Sequence, residues 1–321
     1  MKIAYIILAF NQPEHLKRLV QRLSDSETKF FIHIDKKVNT KPFIESLNLL
    51  ETANYIFLQR NKVYRGEWSM VEAEIRGLKK GLEDPGNFDY LCLLSGQDYP
   101  IKPLSYIKNF LTMNYGKSFL SFTPMPVTNW NWGADGGMDR LTHYFIRVRN
   151  YRWEYPSQSP PRGIRPSLFF LFSKIFFKLP RNNPAGIKPF AGASWWILHK
   201  ETAQYILDFI QKRPDFVNYH KYTESAEEIF FQSILCNAGP EIYSTIENND
   251  LRYVDWTNKD ANMGHPEILT MNHRSQISAS DALFARKFDP NIDRDILDWI
   301  DQNLLDQNEY SDNFSSAPFT V

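Results

Sequence analysis

The sequence predicts an α/β protein with a mainly parallel central sheet and helices on both faces of that sheet. Apolar runs alternate with amphipathic helical patterns through the first third of the 321-residue chain, and such repeats form parallel sheets. The first run, Ile3–Ala9, is apolar throughout, as in a strand that is buried on both faces. Polar segments follow two of the runs, at His33–Lys37 and Ser95–Pro100. They predict a ligand cleft beyond the carboxyl edge of the sheet.

The elements of the first third follow from these patterns in chain order. A helix begins at Pro13, which suits a first helical position. A longer amphipathic helix covers Trp68–Leu82 and ends at the turn Asp84-Pro-Gly86. The predicted strands are Ile3–Ala9, Phe30–Ile34, Tyr55–Leu58 and Phe88–Leu94.

The middle of the chain, from about 124 to 188, is rich in Pro, Trp and Arg and weakly periodic. It predicts a long basic excursion over the cleft, with short helices. The later strands are predicted at Ala191–Leu198, Glu241–Ile246 and Arg252–Trp256, and the later helices at Lys200–Lys212, Glu224–Cys236, Ser280–Lys287 and Asp293–Leu304. We expect one domain over 1–306, with halves at about 1–123 and 189–306, followed by a polar tail at 307–321.

The composition excludes several classes of protein. With 43% apolar residues, the chain is unlike a disordered protein. Its 37 basic and 37 acidic residues balance, which argues against a general nucleic-acid binder. Two cysteines are too few for a disulfide scaffold and favour a reducing compartment. The start of the sequence has no signal-peptide pattern, so we expect a cytoplasmic protein.

The balanced charge hides a basic stretch over 140–190, which contains ten Lys and Arg residues and a single acid, Glu154. Within it, 167–179 is Phe-rich and too short to span a bilayer. One hypothesis is an interfacial helix on an anionic membrane, which would make the protein peripheral to the inner face of that membrane. The alternative is a packed helix that turns Lys174 and Lys178 to solvent.

Standard site motifs are absent from the sequence. It contains no phosphate-binding glycine–lysine loop, no nucleophile elbow and no HExxH pattern. Asp293-Arg-Asp295 has the Asp-x-Asp form of some metal sites. It lies at a predicted helix start, where acids are expected for the helix dipole alone.

The chain nevertheless resembles a known family over about residues 3–289. It is similar to the core-2/I-branching β-1,6-N-acetylglucosaminyltransferases and the peptide O-xylosyltransferases, which share one inverting glycosyltransferase family. Each matching segment is weak alone, whereas their ordered set is specific. The segments are Ala4-Tyr-Ile-Ile-Leu-Ala9, His33-Ile-Asp-Lys-Lys37, Trp68-Ser69, Leu93-Leu-Ser-Gly-Gln-Asp-Tyr-Pro-Ile101, Gly192-Ala-Ser-Trp-Trp196, Ser225-Ala-Glu-Glu-Ile-Phe-Phe-Gln232, Arg252-Tyr-Val-Asp-Trp256 and Leu283-Phe-Ala-Arg-Lys-Phe-Asp289.

The resemblance implies a GT-A-like fold, a nucleotide-binding first half, and transfer without a metal ion or other cofactor. Two adjacent cations then neutralise the leaving diphosphate, and the matching positions are Arg286 and Lys287. The alternative is a pair of ordinary cations at an exposed helix end. A further arginine on the diphosphate corresponds to either Arg252 or Arg274.

The resemblance also implies a catalytic glutamate, which matches Glu228. Glu228 would take the proton of the acceptor hydroxyl. Its neighbour Glu227 points about 100° away on a helix, so only one of the two faces the cleft. The alternative is that both are ordinary acids of a first helical turn. The xylosyltransferase branch has an aspartate where this chain has Ser194, which favours Glu228 as the base and argues against peptide xylosylation.

The remaining site residues are implied by the same resemblance. On the donor, Asp35 contacts the uridine and Asp98 faces the sugar, although either acid could instead close a turn. Arg65, Gly66 and Trp68 help to line the donor pocket. The acceptor pocket is implied for Ser194, Trp195, Asp255 and Trp256, and a structural role for Trp256 is equally open.

We therefore expect transfer of a sugar, GlcNAc or xylose, from a UDP-sugar to a glycan or lipid-linked glycan. Relatives from animals carry anchors and disulfides, so the chain looks like a bacterial member that acts in surface polysaccharide synthesis. The alternatives are a catalytically silent carbohydrate- or UDP-binding relative and a membrane-surface scaffold.

Overall fold

A computed structural model describes residues 1–128, 132–148, 151–156, 181–257 and 265–306. The strands are β1 Ile3–Ala9, β2 Thr28–Ile34, β3 Tyr55–Phe57, β4 Tyr90–Ser95, β5 Asp98–Pro100, β6 Ser118–Leu120, β7 Thr123–Pro124, β8 Tyr144–Val148, β9 Tyr151–Tyr155, β10 Phe190–Ala191, β11 Trp196–His199, β12 Ile246–Asn248, β13 Arg252–Val254 and β14 Phe284–Arg286.

Helices of very different length connect these strands. They are α1 Pro13–Arg22, α2 Lys41–Leu47, α3 Trp68–Glu83, α4 Leu104–Met113, α5 Asp139–Thr142, α6 Lys200–Lys212, α7 Pro214–His220, α8 Phe230–Cys236, α9 Pro240–Tyr243, α10 Arg274–Ala279 and α11 Asp295–Ile300. Short 3₁₀ turns cover Ala226–Glu228 and Met271–His273, and a π-helical turn follows α11 at Asp301–Leu305.

The central sheet has seven strands in the order β12-β6-β11-β4-β1-β2-β3. Strands β3, β2, β1 and β4 run parallel, and β12 runs parallel to β6. Strand β11 runs antiparallel to both of its neighbours, β4 and β6. The prediction of a mainly parallel α/β sheet is therefore confirmed.

Both faces of the sheet are covered, as the fully apolar β1 predicts. Ile3, Tyr5 and Ile7 point into one apolar cluster together with Leu16 and Leu19 of α1. The alternate residues of β1, including Ala4 and Ile6, point into a second cluster that contains residues of α3, α6 and α8. The alternation of side chains along a strand explains how β1 supplies both cores.

A three-stranded sheet, β13-β14-β5, adjoins the loop after β4. Strand β14 pairs antiparallel with β5, which sets Arg286 opposite Asp98. The predicted helix over Ser280–Lys287 is wrong, because Leu283, Phe284 and Ala285 are buried and the strand is paired on both sides. Tertiary pairing overrides helix propensity here.

Three further elements differ from the sequence prediction. The strand at Glu241–Ile246 is wrong, since Pro240 begins α9 there and β12 starts only at Ile246. The strand at Ala191–Leu198 is two strands in different sheets, β10 and β11. The helix at Glu224–Cys236 is a 3₁₀ turn followed by α8.

The described part of the excursion contains the antiparallel hairpin β8–β9 beside the short helix α5. The Phe-rich segment 167–179 and the tail 307–321 lie outside the described residues. Within the residues that are described, no helix has the length and apolar character needed to cross a bilayer.

Candidate active site

Asp35 and Asp98 both follow parallel strands and therefore lie at the same edge of the central sheet. Asp35 is buried, and its backbone N–H donates to the carbonyl of Ala9 at the end of β1. Its carboxylate accepts a 2.8 Å hydrogen bond from the backbone N–H of Lys37 and lies 3.3 Å from Lys37 Nζ. Asp35 thus closes a turn at the strand end, the alternative given by the sequence.

Asp98 is fully buried and holds Arg286. Its carboxylate accepts hydrogen bonds from the backbone N–H and hydroxyl of Ser95, at 2.8 and 2.9 Å, and from Arg286 Nε at 2.9 Å. The guanidinium of Arg286 lies 4.2 Å from the ring centroid of Trp195, which is also buried. The ion pair and the aromatic face together fix the position of this cation.

Glu228 lies on the 3₁₀ turn, next to the loop that precedes α3. Ser225 N–H donates to the carbonyl of Gly66, and Gly66 N–H donates to Glu227 Oε1, each at 2.9 Å. Gly66 has a φ of +73°, a conformation that suits glycine. The two hydrogen bonds join the turn to the loop and direct Glu227 inward, so the two adjacent acids have different surroundings.

Three cations from separate elements act on the partly buried Glu228. Burial raises the pKa of its carboxyl, whereas the charges of Arg140, Arg65 and Arg286 lower it. The charge of Glu224, two residues before the turn, raises the pKa of Glu228. A carboxylate in this setting can accept a proton and stays near several positive charges, as a general base in a diphosphate site requires.

Two more acids lie behind Glu228. Burial, followed by the charge of Glu228, raises the pKa of Glu227 to about 7. Glu74 of α3 is fully buried, and burial raises the pKa of its carboxyl well above the usual range. Glu74 has no hydrogen-bond partner among the described residues, and Glu227 Oε2 has none either.

Lys287 and Arg65 complete a positive cluster around Arg286. Burial and the charges of Arg286 and Arg65 lower the pKa of Lys287. Arg65 Nη1 also lies 3.0 Å from His265 Nε2, and burial together with Arg65 and Lys287 lowers the pKa of that imidazole. Cations that gather in this way are suited to receive an anion.

The structure distinguishes the two candidates for a further arginine. Arg252 is buried, and its guanidinium donates to the carbonyls of Asp250 and Leu93, at 2.6 and 2.7 Å. Those hydrogen bonds give Arg252 a structural role. Arg274 is exposed and donates to the carbonyl of Met271. Arg65 is a third cation close to Lys287, since its charge lowers the pKa of that side chain.

The predicted acceptor residues have different surroundings. Ser194 and Trp195 are buried and Trp195 lies beneath Arg286, whereas Trp256 is 61% exposed. Asp255 accepts hydrogen bonds from the N–H and hydroxyl of Thr257, which lower the pKa of its carboxyl, and it lies 3.4 Å from His273 Nε2. The indole of Trp68 packs edge-on against Phe230, with ring centroids 5.2 Å apart.

The sequence does not predict a site role for three residues of this region: Arg140, His265 and Glu74. In the sequence Arg140 is one cation of the basic stretch, and no local pattern connects it with Glu228, 88 positions later. Glu74 carries a signal that could be read, since an acid lies on the apolar face of the helix over Trp68–Glu83.

We find no group of three or more His, Cys, Asp or Glu side chains that could hold a metal ion within the described ranges. Asp293, of the Asp-x-Asp pattern, accepts from the backbone N–H groups of Met271 and Ile296. It therefore serves the start of α11.

Comparison with known proteins identifies the family to which the chain belongs. The model of the family described as Core-2/I-Branching enzyme matches residues 3–279. Arg286 and Lys287 lie just beyond the matched range.

Two relatives are glycosyltransferases. Beta-glucuronosyltransferase GlcAT14B of Arabidopsis thaliana is 25% identical over 95% of this chain and 66% of its own. Xylosyltransferase 2 of Rattus norvegicus is 25% identical over 95% of this chain and 34% of its own. The chain therefore spans less than two thirds of the length of the first relative and about a third of the second.

A solved structure, mouse xyloside xylosyltransferase 1 in its apo form, is 11% identical with a TM-score of 0.37, covering 88% of this chain and 97% of that one. This likeness is too weak to carry an inference about function.

Proposed function

The chain belongs to the Core-2/I-Branching enzyme family, and we propose that it is an inverting glycosyltransferase. In this proposal it moves a sugar from a UDP-sugar to a hydroxyl of a glycan acceptor, forms a β-linkage, and needs no metal ion. One observation carries the proposal: the charges of Arg65 and Arg286 lower the pKa of Glu228, and the same two charges lower the pKa of Lys287.

In this proposal the reaction is divided between these groups. The acceptor oxygen attacks the anomeric carbon of the donor while its proton passes to Glu228. The bond from the anomeric carbon to the diphosphate oxygen breaks, and UDP leaves with the electron pair. Arg286, Lys287 and Arg65 stabilise the negative charge that develops on that oxygen. Because attack and departure occur on opposite faces of the sugar, the configuration inverts.

The role of Asp98 in this proposal is to place Arg286. Its carboxylate is fully buried and accepts from Ser95 and Arg286, so it acts on the donor through that arginine. Asp35 follows β2, at the same edge of the sheet, where the uridine of the donor is proposed to bind.

The sugar and acceptor belong to the proposal as well. GlcNAc and xylose are the proposed donor sugars, and the glucuronosyltransferase relative adds glucuronic acid to the panel to be tested. The proposed acceptor is a glycan or lipid-linked glycan of a bacterial surface polysaccharide, with the enzyme acting in the cytoplasm at the inner face of the membrane.

Contact with an anionic membrane through 140–190 would depend on the part of that stretch outside the described residues. Within the described part, Arg147 donates to Glu67 at 2.7 Å and Arg152 pairs with Glu224 at 2.8 Å. These two arginines therefore pair with acidic side chains of the protein itself.

A panel of UDP-sugars tests the function directly. Release of UDP is measured for UDP-GlcNAc, UDP-xylose, UDP-glucuronic acid, UDP-glucose and UDP-galactose, with glycan acceptors, in EDTA and in Mn²⁺. We expect one donor to be turned over at equal rates in EDTA and Mn²⁺. Turnover that requires Mn²⁺ would contradict the metal-free mechanism. UDP binding without turnover of any donor would favour the silent relative.

A further inference from the structure

Arg140 makes a specific contact with the segment that carries Glu228. It lies on the short helix α5, and its Nη1 donates a 2.8 Å hydrogen bond to the hydroxyl of Ser225. Ser225 is the residue before the 3₁₀ turn and has a left-handed backbone with φ of 50°. A hydrogen bond at this position restrains the chain at the residue that leads into the turn.

A second set of contacts restrains Arg140 itself. Its guanidinium lies 4.3 Å from the ring centroid of Trp132, a distance typical of a cation–π contact. Its backbone carbonyl accepts from the N–H of Glu224, and its Nη1 lies 3.9 Å from the Glu224 carboxylate. Helix α5 and residues 224–225 are therefore joined through both backbone and side chain.

The charge of Arg140 is also directed at the base. Among the charged groups that act on Glu228, it has the largest influence, ahead of Arg65 and Arg286, while Glu224 opposes it. The neighbouring Glu227 adds a further acid to the same turn. Without a strong cation on this side, burial and two adjacent acids would favour the protonated form of Glu228, which cannot accept a proton.

One donor of Arg140 remains unused. Its Nε–H is buried and has no hydrogen-bond partner among the described residues. A buried unsatisfied donor is unfavourable for folding. An arginine that buries an unsatisfied donor next to the turn is better explained by a role in the reaction than by a role in stability.

We propose that Arg140 is a positioning residue of the transfer reaction, which holds the turn carrying Glu228 and supplies the positive charge that keeps this carboxylate ready to accept the acceptor's proton. This inference rests on the proposed function, since it assigns Arg140 a role through Glu228. The inference gives Arg140, one of the cations in the basic stretch, a role within the protein.

The pH dependence of kcat/KM separates this role from a purely structural one. In Arg140→Gln we expect the acid limb of the profile to move to higher pH by about half a unit or more, because a nearby opposite charge is lost. Arg213→Gln is the matched control, since Arg213 pairs with exposed Asp215 at the surface. It should leave the limb in place.

Arg140→Lys and Ser225→Ala separate charge from position. Arg140→Lys keeps the charge but cannot both reach Ser225 and stack on Trp132 as the planar guanidinium does. We expect the limb to stay where it is in both variants while kcat falls several-fold. If Arg140→Gln does not fold, Arg140→Lys decides: a displaced limb or an unchanged kcat would contradict the proposal.

The outcomes also separate this inference from the function on which it rests. An Arg140→Gln enzyme with the wild-type acid limb would overturn the inference and leave the glycosyltransferase proposal intact. Absence of transfer by the wild-type protein with every donor of the panel would overturn the function itself.

Discussion

Two groups of buried acids flank the proposed reaction centre, and they differ in their partners. On the diphosphate side, both oxygens of Asp98 accept hydrogen bonds, from Ser95 and Arg286. On the base side, Glu74 has no partner among the described residues, and Glu227 uses only one oxygen. A buried carboxylate with partners anchors its neighbours, whereas one without partners opposes folding.

This difference indicates that the two sides contribute unequally to stability and catalysis. Asp98 acts by holding Arg286, so its loss should weaken the fold and the diphosphate site together. The acids near Glu228 are kept although burial disfavours their charged forms. Removing their charge should spare or increase stability, and only Glu228 should be essential for turnover.

The largest effect is expected from Glu228→Gln. The amide keeps the size of the side chain but cannot take a proton, so kcat should fall by about 10²- to 10⁴-fold, the usual contribution of a general base. UDP affinity and the free energy of unfolding should not fall. Turnover with the preferred donor, UDP titration and urea unfolding measure the three quantities.

Glu241→Gln provides the control for that experiment, because Glu241 is an exposed glutamate of α9. Its turnover should equal that of the wild type. A Glu228→Gln enzyme with near-normal kcat would remove Glu228 from the mechanism and end the contrast between the two sides.

Asp98→Asn should give the next largest effect, which is a loss in the free energy of unfolding. The amide leaves the Arg286 guanidinium without its countercharge, and breaking a buried ion pair in this way costs about 3–5 kcal/mol. The lower end applies, since the side chain of Arg286 is 16% exposed. Urea unfolding should show this loss, and UDP should bind more weakly because Arg286 is no longer held.

Asp215→Asn is the matched control, because Asp215 pairs with Arg213 at the surface with its side chain 55% exposed. Exposed pairs contribute about 0–1 kcal/mol. Equal losses in the two variants would show that burial does not set the strength of the Asp98–Arg286 pair.

Glu227→Gln should change the free energy of unfolding in the opposite direction, and by a smaller amount. The folded-state pKa of Glu227 is about 7, above the usual 4.5. The folded protein therefore favours the protonated acid, and wild-type stability falls as pH rises from 4.5 to about 7. The variant lacks this loss, so at pH 8 it should be more stable than the wild type by up to about 3 kcal/mol.

Urea unfolding at pH 5 and pH 8 measures this difference, and Glu241→Gln should show the pH dependence of the wild type. A Glu227→Gln protein that is less stable than the wild type at pH 8 would show that the bond from Gly66 to a charged Glu227 outweighs the cost of burying that charge.

The sequence predicts the first region of the chain well because its information is local. The bounds of β1, Ile3–Ala9, and the start of α1 at Pro13 follow from apolar runs and helix-start signals. Each strand end then marks an edge of the sheet, so the sequence predicts that Asp35 and Asp98 lie at the same edge.

The partners of those residues depend on contacts that local patterns do not contain. Asp98 and Arg286 are 188 positions apart, and the segment of Arg286 reads as a helix when taken alone. Likewise, the adjacent acids Glu227 and Glu228 predict that only one faces the cleft, but the inward bond to Gly66 depends on a loop 161 positions earlier.

Gly192 joins the two sides. Its N–H donates to the carbonyl of Glu228 at 2.8 Å, and three residues later Trp195 lies beneath Arg286. The backbone at Gly192 also passes very close to the loop that follows β6. A Cβ added to Gly192 would lie 1.8 Å from the carbonyl oxygen of Ser121. No side chain fits at this distance without movement of the backbone.

Gly192→Ala should therefore act on both sides at once. Shifting the backbone to admit a methyl group should cost about 1–3 kcal/mol, as other overpacked sites do, and should lower both kcat and UDP affinity. Gly239→Ala is the control, because nothing lies within 4 Å of a Cβ at Gly239, and it should change stability by less than about 0.5 kcal/mol. If Gly192→Ala lowered kcat but left UDP affinity unchanged, the segment 192–195 would transmit strain only to Glu228, and the two sides would be mechanically independent.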